Sequence, residues 1–234
     1  MQLISAHQGR LLTLETTRLQ TASGRSFRTG LDALDALAPD GALACGVVHE
    51  LLSHNAKSNA LFVATLFARA TTCGAIIWSD LDHILYPPAL AMHGISLERL
   101  YLLHPKPADQ AWAVAECLRC KGVSAVVAAF PKLSRIEARR LQLAAEQGGG
   151  VGIFLRPPGR ASEIYAAATR WLVRPAPGER TIQRWTIQLI HGHGGRLGHT
   201  VTLECCRENH LVRALETVAD RPDQKTKPPS RVAS

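Results

Sequence analysis

The chain has 234 residues, a length that suits one α/β domain or one domain with a small appendage. Apolar residues make up 46% of it and charged residues 20%, which is typical of a folded protein and excludes wholesale disorder. Lys and Arg number 27 against 19 Asp and Glu, a net charge of +8 that favours a polyanion or an acidic protein as partner. Every apolar run is shorter than the roughly 20 residues of a membrane-spanning helix, and the first ten residues lack the pattern of a secretion signal. We therefore expect a cytoplasmic protein without membrane contact.

The first 24 residues predict an N-terminal helical arm, 1–24. Five leucines fall close to one helical stripe, and they are Leu3, Leu11, Leu12, Leu14 and Leu19. A turn-rich segment, 22–25, separates this arm from the rest of the chain. The arm either packs on its own core or docks on a neighbouring molecule, including a second copy of the chain, and the sequence leaves both open.

From Phe27 onward, predicted strands and helices alternate along the chain. The strands are 47–52, 75–79, 99–103, 123–129 and 151–155. The helices are 58–70, 88–93, 108–121 and one that follows Ser134. Alternating strands and helices form βαβ units, so we expect an α/β fold with a mainly parallel sheet and helices on both faces.

Two signals define the ends of the helix after Ser134. Ser134 and Glu137 have the spacing of a capping box, in which each side chain accepts a hydrogen bond from the other residue's backbone N–H. Gly148, Gly149 and Gly150 follow, and glycine readily adopts the left-handed conformation that ends a helix.

The last third of the chain changes pattern. Polar and apolar residues alternate over 184–190 and 200–205, with a glycine-rich segment between them, which predicts an antiparallel β-hairpin at the edge of the sheet. We place the core at 25–212 and a C-terminal segment at 213–234. Its end, from Asp220, is rich in Pro, Lys, Ser and Thr and is predicted to be disordered.

The first strand-to-helix turn resembles a degenerate phosphate loop. Lys57 and Ser58 open the following helix as in a Walker A motif, where Lys meets the β- and γ-phosphates and the hydroxyl binds Mg²⁺. The loop lacks glycine, however, and Ala56 stands where the last glycine belongs. A Cβ there hinders the backbone from curling around phosphates, so we expect at most a vestigial nucleotide site and no bound cofactor.

The acidic positions near such a site are also incomplete. The strand 123–129 ends in alanines, where a Walker B strand carries a metal-binding Asp. Asp80 and Asp82, followed by His83, come after the strand 75–79 and complete the vestigial site. They serve acid–base or metal chemistry, or one of them caps a helix in an exposed turn. Cys117 and Cys120 lie on a predicted helix without a second ligand pair, so we expect neither a metal site nor a catalytic residue.

The order of these features resembles the RecA core. The segments that carry the resemblance are 27–35, 46–51, 78–87 and 94–102. In this resemblance Asp82 falls at the position of the catalytic glutamate of RecA.

Four further segments resemble the ImuA family, the RecA-like accessory proteins of bacterial SOS mutagenesis, and the whole resemblance covers about residues 27–206. These segments are 49–52, 117–127, 139–146 and 194–198. The resemblance implies a non-catalytic RecA-like adaptor in DNA repair by translesion synthesis. Its partners would be an ImuB-like Y-family protein, a DnaE-type error-prone polymerase and RecA.

Four arginines raise the alternative of direct DNA contact. Arg156, Arg160, Arg170 and Arg174 flank the region where the second DNA loop of RecA would lie, and arginine suits phosphate contacts. A solvated basic face explains the same pattern. Two other functions stay open, namely a SulA-like cell-division inhibitor and a residual nucleotide-binding protein that binds DNA.

Overall fold

A nine-stranded sheet organises the computed structural model, which describes residues 4–7, 10–13, 25–54, 59–159 and 166–218. The strands in chain order are β1 Ile4–His7, β2 Arg10–Thr13, β3 Ser26–Phe27, β4 Leu43–Ala44, β5 Val48–Leu52, β6 Ala75–Ser79, β7 Leu100–Leu103, β8 Val123–Ala129, β9 Val151–Arg156, β10 Thr169–Ala176, β11 Ile182–Gly192, β12 Thr200–Cys206 and β13 Val212–Val218. The helices are α1 Asp32–Asp35, α2 Leu61–Ala70, α3 Pro87–Met92, α4 Gln110–Arg119 and α5 Arg135–Gly148.

The sheet has a parallel part and an antiparallel part. Its order is β13-β12-β11-β10-β5-β9-β8-β6-β7. All neighbours from β10 to β7 in this order are parallel, and all neighbours from β13 to β10 are antiparallel. The predicted α/β fold with a mainly parallel sheet is confirmed. The antiparallel edge also contains β10 and β13 beside the two strands of the predicted hairpin, and β13 carries the sheet past the predicted core boundary at residue 212.

Helices cover both faces of the parallel part. On one face, the α2 face, α2 and α3 bury Phe67 and Leu90 against the sheet, while α1 packs beside the antiparallel strand β13. On the other, the α5 face, α4 and α5 bury Leu118 and Leu141. Each parallel strand in the middle of the sheet is therefore buried on both sides, which explains why these strands are continuous apolar runs in the sequence.

The predicted N-terminal helix is wrong for the two segments that the structure describes there. Strands β1 and β2 pair antiparallel, with Ile4 opposite Thr13 and His7 opposite Arg10. His7 and Arg10 interrupt the leucine stripe, so a helix over these residues would not present a continuous apolar face. The other residues of the predicted arm, and the predicted tail from Asp220, lie outside the described residues.

Helix α5 begins and ends at the predicted signals. The Ser134 hydroxyl accepts a hydrogen bond from the Glu137 N–H (3.2 Å), and the Glu137 carboxylate accepts one from the Ser134 N–H (2.9 Å). Gly149 has a φ of 78°, in the left-handed region. A Cβ on Gly148 would lie 1.8 Å from the Leu118 carbonyl oxygen, so the glycine also lets α5 approach α4 closely. Across the described ranges, every helix is too short or too polar to cross a membrane.

Candidate functional site

The carboxyl ends of the parallel strands meet at one edge of the sheet, which we call the carboxyl edge. Leu52 lies opposite Arg156, and Ser79 lies between Leu103 and Ala128. Ligands of open parallel sheets bind outside this edge. It is therefore the place where the predicted site residues are to be compared with the structure.

The loop after β5 begins with a buried serine. The Ser53 N–H donates to the Arg156 carbonyl oxygen (3.0 Å), which extends the pairing of β5 with β9 by one hydrogen bond. The Asn59 side-chain amide approaches the Ser53 hydroxyl at 3.4 Å. The predicted residues Lys57 and Ser58 lie outside the described residues, so a phosphate-binding role for them stays a prediction.

Asp80 organises the turn that follows β6. Its buried carboxylate accepts hydrogen bonds from the backbone N–H groups of Leu85 (2.9 Å) and Ile84 (3.3 Å). This geometry favours the interpretation in which Asp80 satisfies backbone donors over the one in which it serves acid–base chemistry. Asp82 is exposed in the same turn. The two carboxylates therefore lie in different environments, one buried and the other facing solvent.

Two histidines stack beside this turn. The ring centroids of His83 and His104 are 4.0 Å apart, and the ring planes are nearly parallel, at an interplanar angle of 15°. His104 Nδ1 donates to the Asp80 carbonyl oxygen at 2.7 Å, because a carbonyl only accepts. His83 has a φ of 54°, so the turn places it in the left-handed region. The pair ties β7 to the turn after β6.

A buried glutamine joins the ends of two strands at the carboxyl edge. Gln110 is the first residue of α4, and its side-chain NH₂ donates to the Ser79 hydroxyl (3.2 Å) and to the Ala129 carbonyl oxygen (3.1 Å). Ala129 is the last residue of β8, the strand that ends in alanines. The neutral carboxamide of Gln110 therefore lies next to the end of this strand. Sequence reasoning missed this residue, since a glutamine at a helix start carries no distinct signal.

A buried carboxylate on β5 holds two of the four arginines predicted to contact DNA. Arg156 Nη1 donates to Glu50 Oε1 and Arg170 Nε donates to Glu50 Oε2, each at 2.8 Å. All three side chains are buried. The prediction that Arg156 and Arg170 contact DNA is therefore wrong in this conformation, because their guanidinium groups face Glu50 and are not accessible to phosphate. Arg174 is exposed on β10 and Arg160 lies outside the described residues, so contact through these two stays a prediction.

The sequence contained a partial signal for this ion pair network. Glu50 is an acidic residue inside an otherwise apolar or neutral strand that is buried on both faces. A buried charge requires partners, so its presence predicts arginine or lysine nearby. The partners themselves lie 106 and 120 positions along the chain, which the strand pattern does not reveal.

The neighbouring residue, His49, lies on the α2 face in a neutral hydrogen-bond chain. The indole N–H of Trp171 donates to the Thr169 hydroxyl (2.7 Å), which lies 2.7 Å from His49 Nδ1. His49 Nε2 lies 2.9 Å from the Ala44 carbonyl oxygen and donates to it. Burial lowers the pKa of His49 to about 4, despite the opposing effect of the hydrogen bond to Ala44. The imidazole is therefore neutral near pH 7.

Of the two cysteines with metal-ligand spacing, Cys117 lies on α4 and Cys120 directly follows it. Burial raises the pKa of Cys117 to about 11, and the neighbouring Cys120 and Glu116 act in the same direction. This cysteine is a protonated thiol near neutral pH and hence a poor ligand or nucleophile. Within the described part of the chain, no three His, Cys, Asp or Glu side chains are placed to hold a metal ion.

The chain is similar to known proteins in sequence and in fold. No family model matches it. It is 29% identical over 217 residues to Protein ImuA of Caulobacter vibrioides strain NA1000 / CB15N, a match that covers 82% of this chain and 89% of the relative. Protein ImuA of strain ATCC 19089 / CIP 103742 / CB 15 matches to the same extent.

Among solved structures, the crystal structure of the RadB recombinase has a TM-score of 0.64 with this chain at 15% identity. The match covers 80% of this chain and 99% of that chain. The resemblance to ImuA and the RecA-like fold that the sequence predicts are both confirmed. The chain is therefore similar in sequence to the ImuA proteins and has a RecA-like fold.

Proposed function

We propose that the chain is a non-catalytic RecA-like adaptor in DNA-damage-induced mutagenesis. It joins an ImuB-like Y-family protein to a DnaE-type error-prone polymerase during translesion synthesis. The observation that carries this proposal is the similarity to ImuA over 82% of the chain, together with a RecA-like sheet. RecA and a second copy of the chain are further partners in the proposal.

The geometry of the carboxyl edge supports a non-catalytic role. Gln110 donates to Ser79 and Ala129 at the ends of β6 and β8, and the Asp80 carboxylate accepts from two backbone N–H groups. A neutral amide binds a divalent metal ion more weakly than a carboxylate does. A rigid sheet whose strand ends are joined by side chains suits a platform for protein contacts.

The bridging proposal is tested by assembling the purified proteins. We expect the ImuB-like protein and the DnaE-type polymerase to co-elute in size-exclusion chromatography only when this chain is present, with a light-scattering mass equal to the sum of the three. The matched control omits this chain. Equal association of the two partners without it, or failure of this chain to bind either, would contradict the proposal.

A second experiment tests the absence of nucleotide turnover. We expect calorimetric titration with Mg-ATP to give the same result for the natural chain and for Lys57→Ala, and an ATPase assay to give no rate above buffer. Heat that disappears in Lys57→Ala would show that the loop binds phosphate without glycines. The chain would then be a nucleotide-dependent switch.

A further inference from the structure

A pocket lies on the α2 face between two helices and the antiparallel part of the sheet. Its volume is about 380 Å³, within the range of roughly 300–1,000 Å³ that is usual for ligand pockets. Helix α2 contributes Phe62 and Thr65, α3 contributes Ala89, and β11 contributes Trp185. His93, which directly follows α3, and Arg207 and His210, which follow β12, also line the pocket.

The apolar wall of this pocket is aromatic. The rings of Phe62 and Trp185 stack, with centroids 4.0 Å apart and an interplanar angle of 12°, and His93 meets Phe62 edge-on at 5.4 Å. Aromatic rings pack well against a further ring, in an offset-stacked or an edge-to-face arrangement. The wall thus suits the insertion of a planar side chain.

The polar groups of the pocket favour a negatively charged ligand. Arg207 is exposed at its margin, and no Asp or Glu is among the described residues that line it. His93 and His210 meet edge-on at 5.3 Å. Burial lowers the pKa of His93, and His210 and Arg69 lower it further. His93 Nδ1 is buried without a hydrogen-bond partner among the described residues.

The surroundings of the pocket indicate a protein ligand. Met92 and Leu211 are 56% and 48% exposed, and each is the chain neighbour of a histidine that lines the pocket. Exposed apolar side chains around a pocket are typical of a protein contact. A free metabolite would leave these apolar side chains exposed to solvent, whereas a bound peptide would cover them.

We propose that this pocket binds an acidic peptide segment of a partner protein. One aromatic side chain of the segment inserts against Phe62 and Trp185, and a carboxylate beside it pairs with Arg207. The proposal rests on the adaptor function only in requiring a protein partner, since the chemistry of the segment is inferred from the pocket alone.

The probe is a fluorescein-labelled acidic pentapeptide with phenylalanine at its centre, titrated with the purified full chain and followed by fluorescence anisotropy. We expect saturable binding. We also expect at least tenfold weaker binding for the same peptide with alanine in place of phenylalanine, and for one with lysines in place of the acidic residues. Equal binding of the three peptides would overturn the proposal.

Two variants locate the binding site, and each has a matched control on the α5 face. Arg207→Glu reverses the charge at the margin, and Ala89→Phe fills the pocket. We expect each to weaken binding at least tenfold. Arg135→Glu on α5 and Ala113→Phe on α4 make the same chemical changes and should bind within twofold of the natural chain. Thermal unfolding of all four confirms that they fold.

Three further results would overturn the proposal. The first is no binding at millimolar peptide, and the second is unchanged peptide binding by the Arg207→Glu and Ala89→Phe variants. The third is binding of AMP that is tighter than that of the peptide and is weakened by Ala89→Phe. The last would assign the pocket to a nucleotide.

The assembly experiment described above tests the adaptor function independently of the pocket, because peptide binding without the three-protein complex refutes bridging alone. A complex with no peptide binding refutes the pocket assignment alone.

Discussion

Two neighbouring residues of one strand illustrate two ways to bury a polar side chain. His49 lies on the α2 face as a neutral imidazole joined to Thr169 and Ala44. Glu50 lies on the α5 face as a carboxylate held by Arg156 and Arg170. Both side chains are almost inaccessible to solvent. The first is tolerated because it loses its charge, and the second because the charge is compensated.

The difference has an energetic consequence. A neutral hydrogen-bonded group contributes about 1 kcal/mol net per hydrogen bond. Removal of one partner from a buried ion pair costs about 3–5 kcal/mol, because the remaining charge stays in the interior. We therefore expect the free energy of unfolding to be more sensitive to substitution on the α5 face of β5 than on its α2 face. We also expect the contributions of the two faces to depend on different solution conditions.

The largest expected effect is that of Glu50→Gln. The substitution keeps the shape of the side chain and removes the carboxylate that faces Arg156 and Arg170, so we expect the free energy of unfolding to fall by about 3–5 kcal/mol. Urea denaturation would show this loss as a lower transition midpoint, with an unchanged slope of the unfolding free energy against urea concentration. Glu204→Gln is the control, since it removes a carboxylate from the more exposed pair with Arg184. Similar losses in the two variants would show that burial does not set the cost.

The next effect is a pH dependence that originates at His49. The unfolded chain binds a proton at this imidazole below pH 6.5, whereas the folded chain does so only near pH 4. The stability that follows from this difference is complete above pH 6.5 and is lost as the pH falls towards 4, by about 3 kcal/mol in total. Urea midpoints at several pH values, compared with those of His49→Asn, isolate this contribution. Identical pH dependence in the two proteins would contradict the assignment.

A smaller loss is expected for Thr169→Val. This substitution keeps the shape and removes the hydroxyl that links Trp171 Nε1 to His49 Nδ1, which leaves two buried nitrogen atoms without this partner. We expect destabilisation of about 2 kcal/mol, measured by urea denaturation at pH 7.5. Thr202→Val, on a half-buried position of β12, is the matched control and should change stability little. A loss as large as that of Glu50→Gln would remove the contrast between the two faces.

The smallest effect is that of Ser134→Ala at the start of α5. The substitution removes one half of the capping box and leaves the contacts of Glu50 and His49 in place, and we expect a loss of about 1 kcal/mol. Ser96→Ala is the control, since Ser96 precedes a short 3₁₀ helix without a side-chain capping hydrogen bond. If the stability losses of Ser134→Ala and Thr169→Val add in the double variant, the cap of α5 and the hydrogen-bond chain at His49 stabilise the fold independently.

Much of the fold could be predicted because local patterns determine it. The run 75–79 forms β6, and the capping signals at Ser134 and Glu137 begin α5 where expected. The N-terminal prediction was wrong because a leucine stripe with interruptions fits a helix only partly. Strands β10 and β13 were both missed, because the first lies in the region compared with the second DNA loop of RecA and the second was assigned to the C-terminal segment.

The site was less predictable because its contacts join residues far apart in the chain. Asp80 could be identified as a turn residue from its position after β6. The burial of Arg156 and Arg170 depends on Glu50, and an arginine in a sequence carries no sign of whether it faces solvent. Gln110 contacts β6 and β8 together, and only the arrangement of the sheet brings those two strands side by side.

The adjacency of His49 and Glu50 also bears on how strand β5 finds its place among its neighbours. The strand is short, all five of its residues are buried, and its other three residues are Val48, Leu51 and Leu52. Displacement by one position would exchange the faces of every side chain. The carboxylate would then lie near Phe67 and Trp171, and the imidazole beside two guanidinium groups. Both placements are costly, so these two residues penalise mispaired sheets that the apolar side chains alone would tolerate.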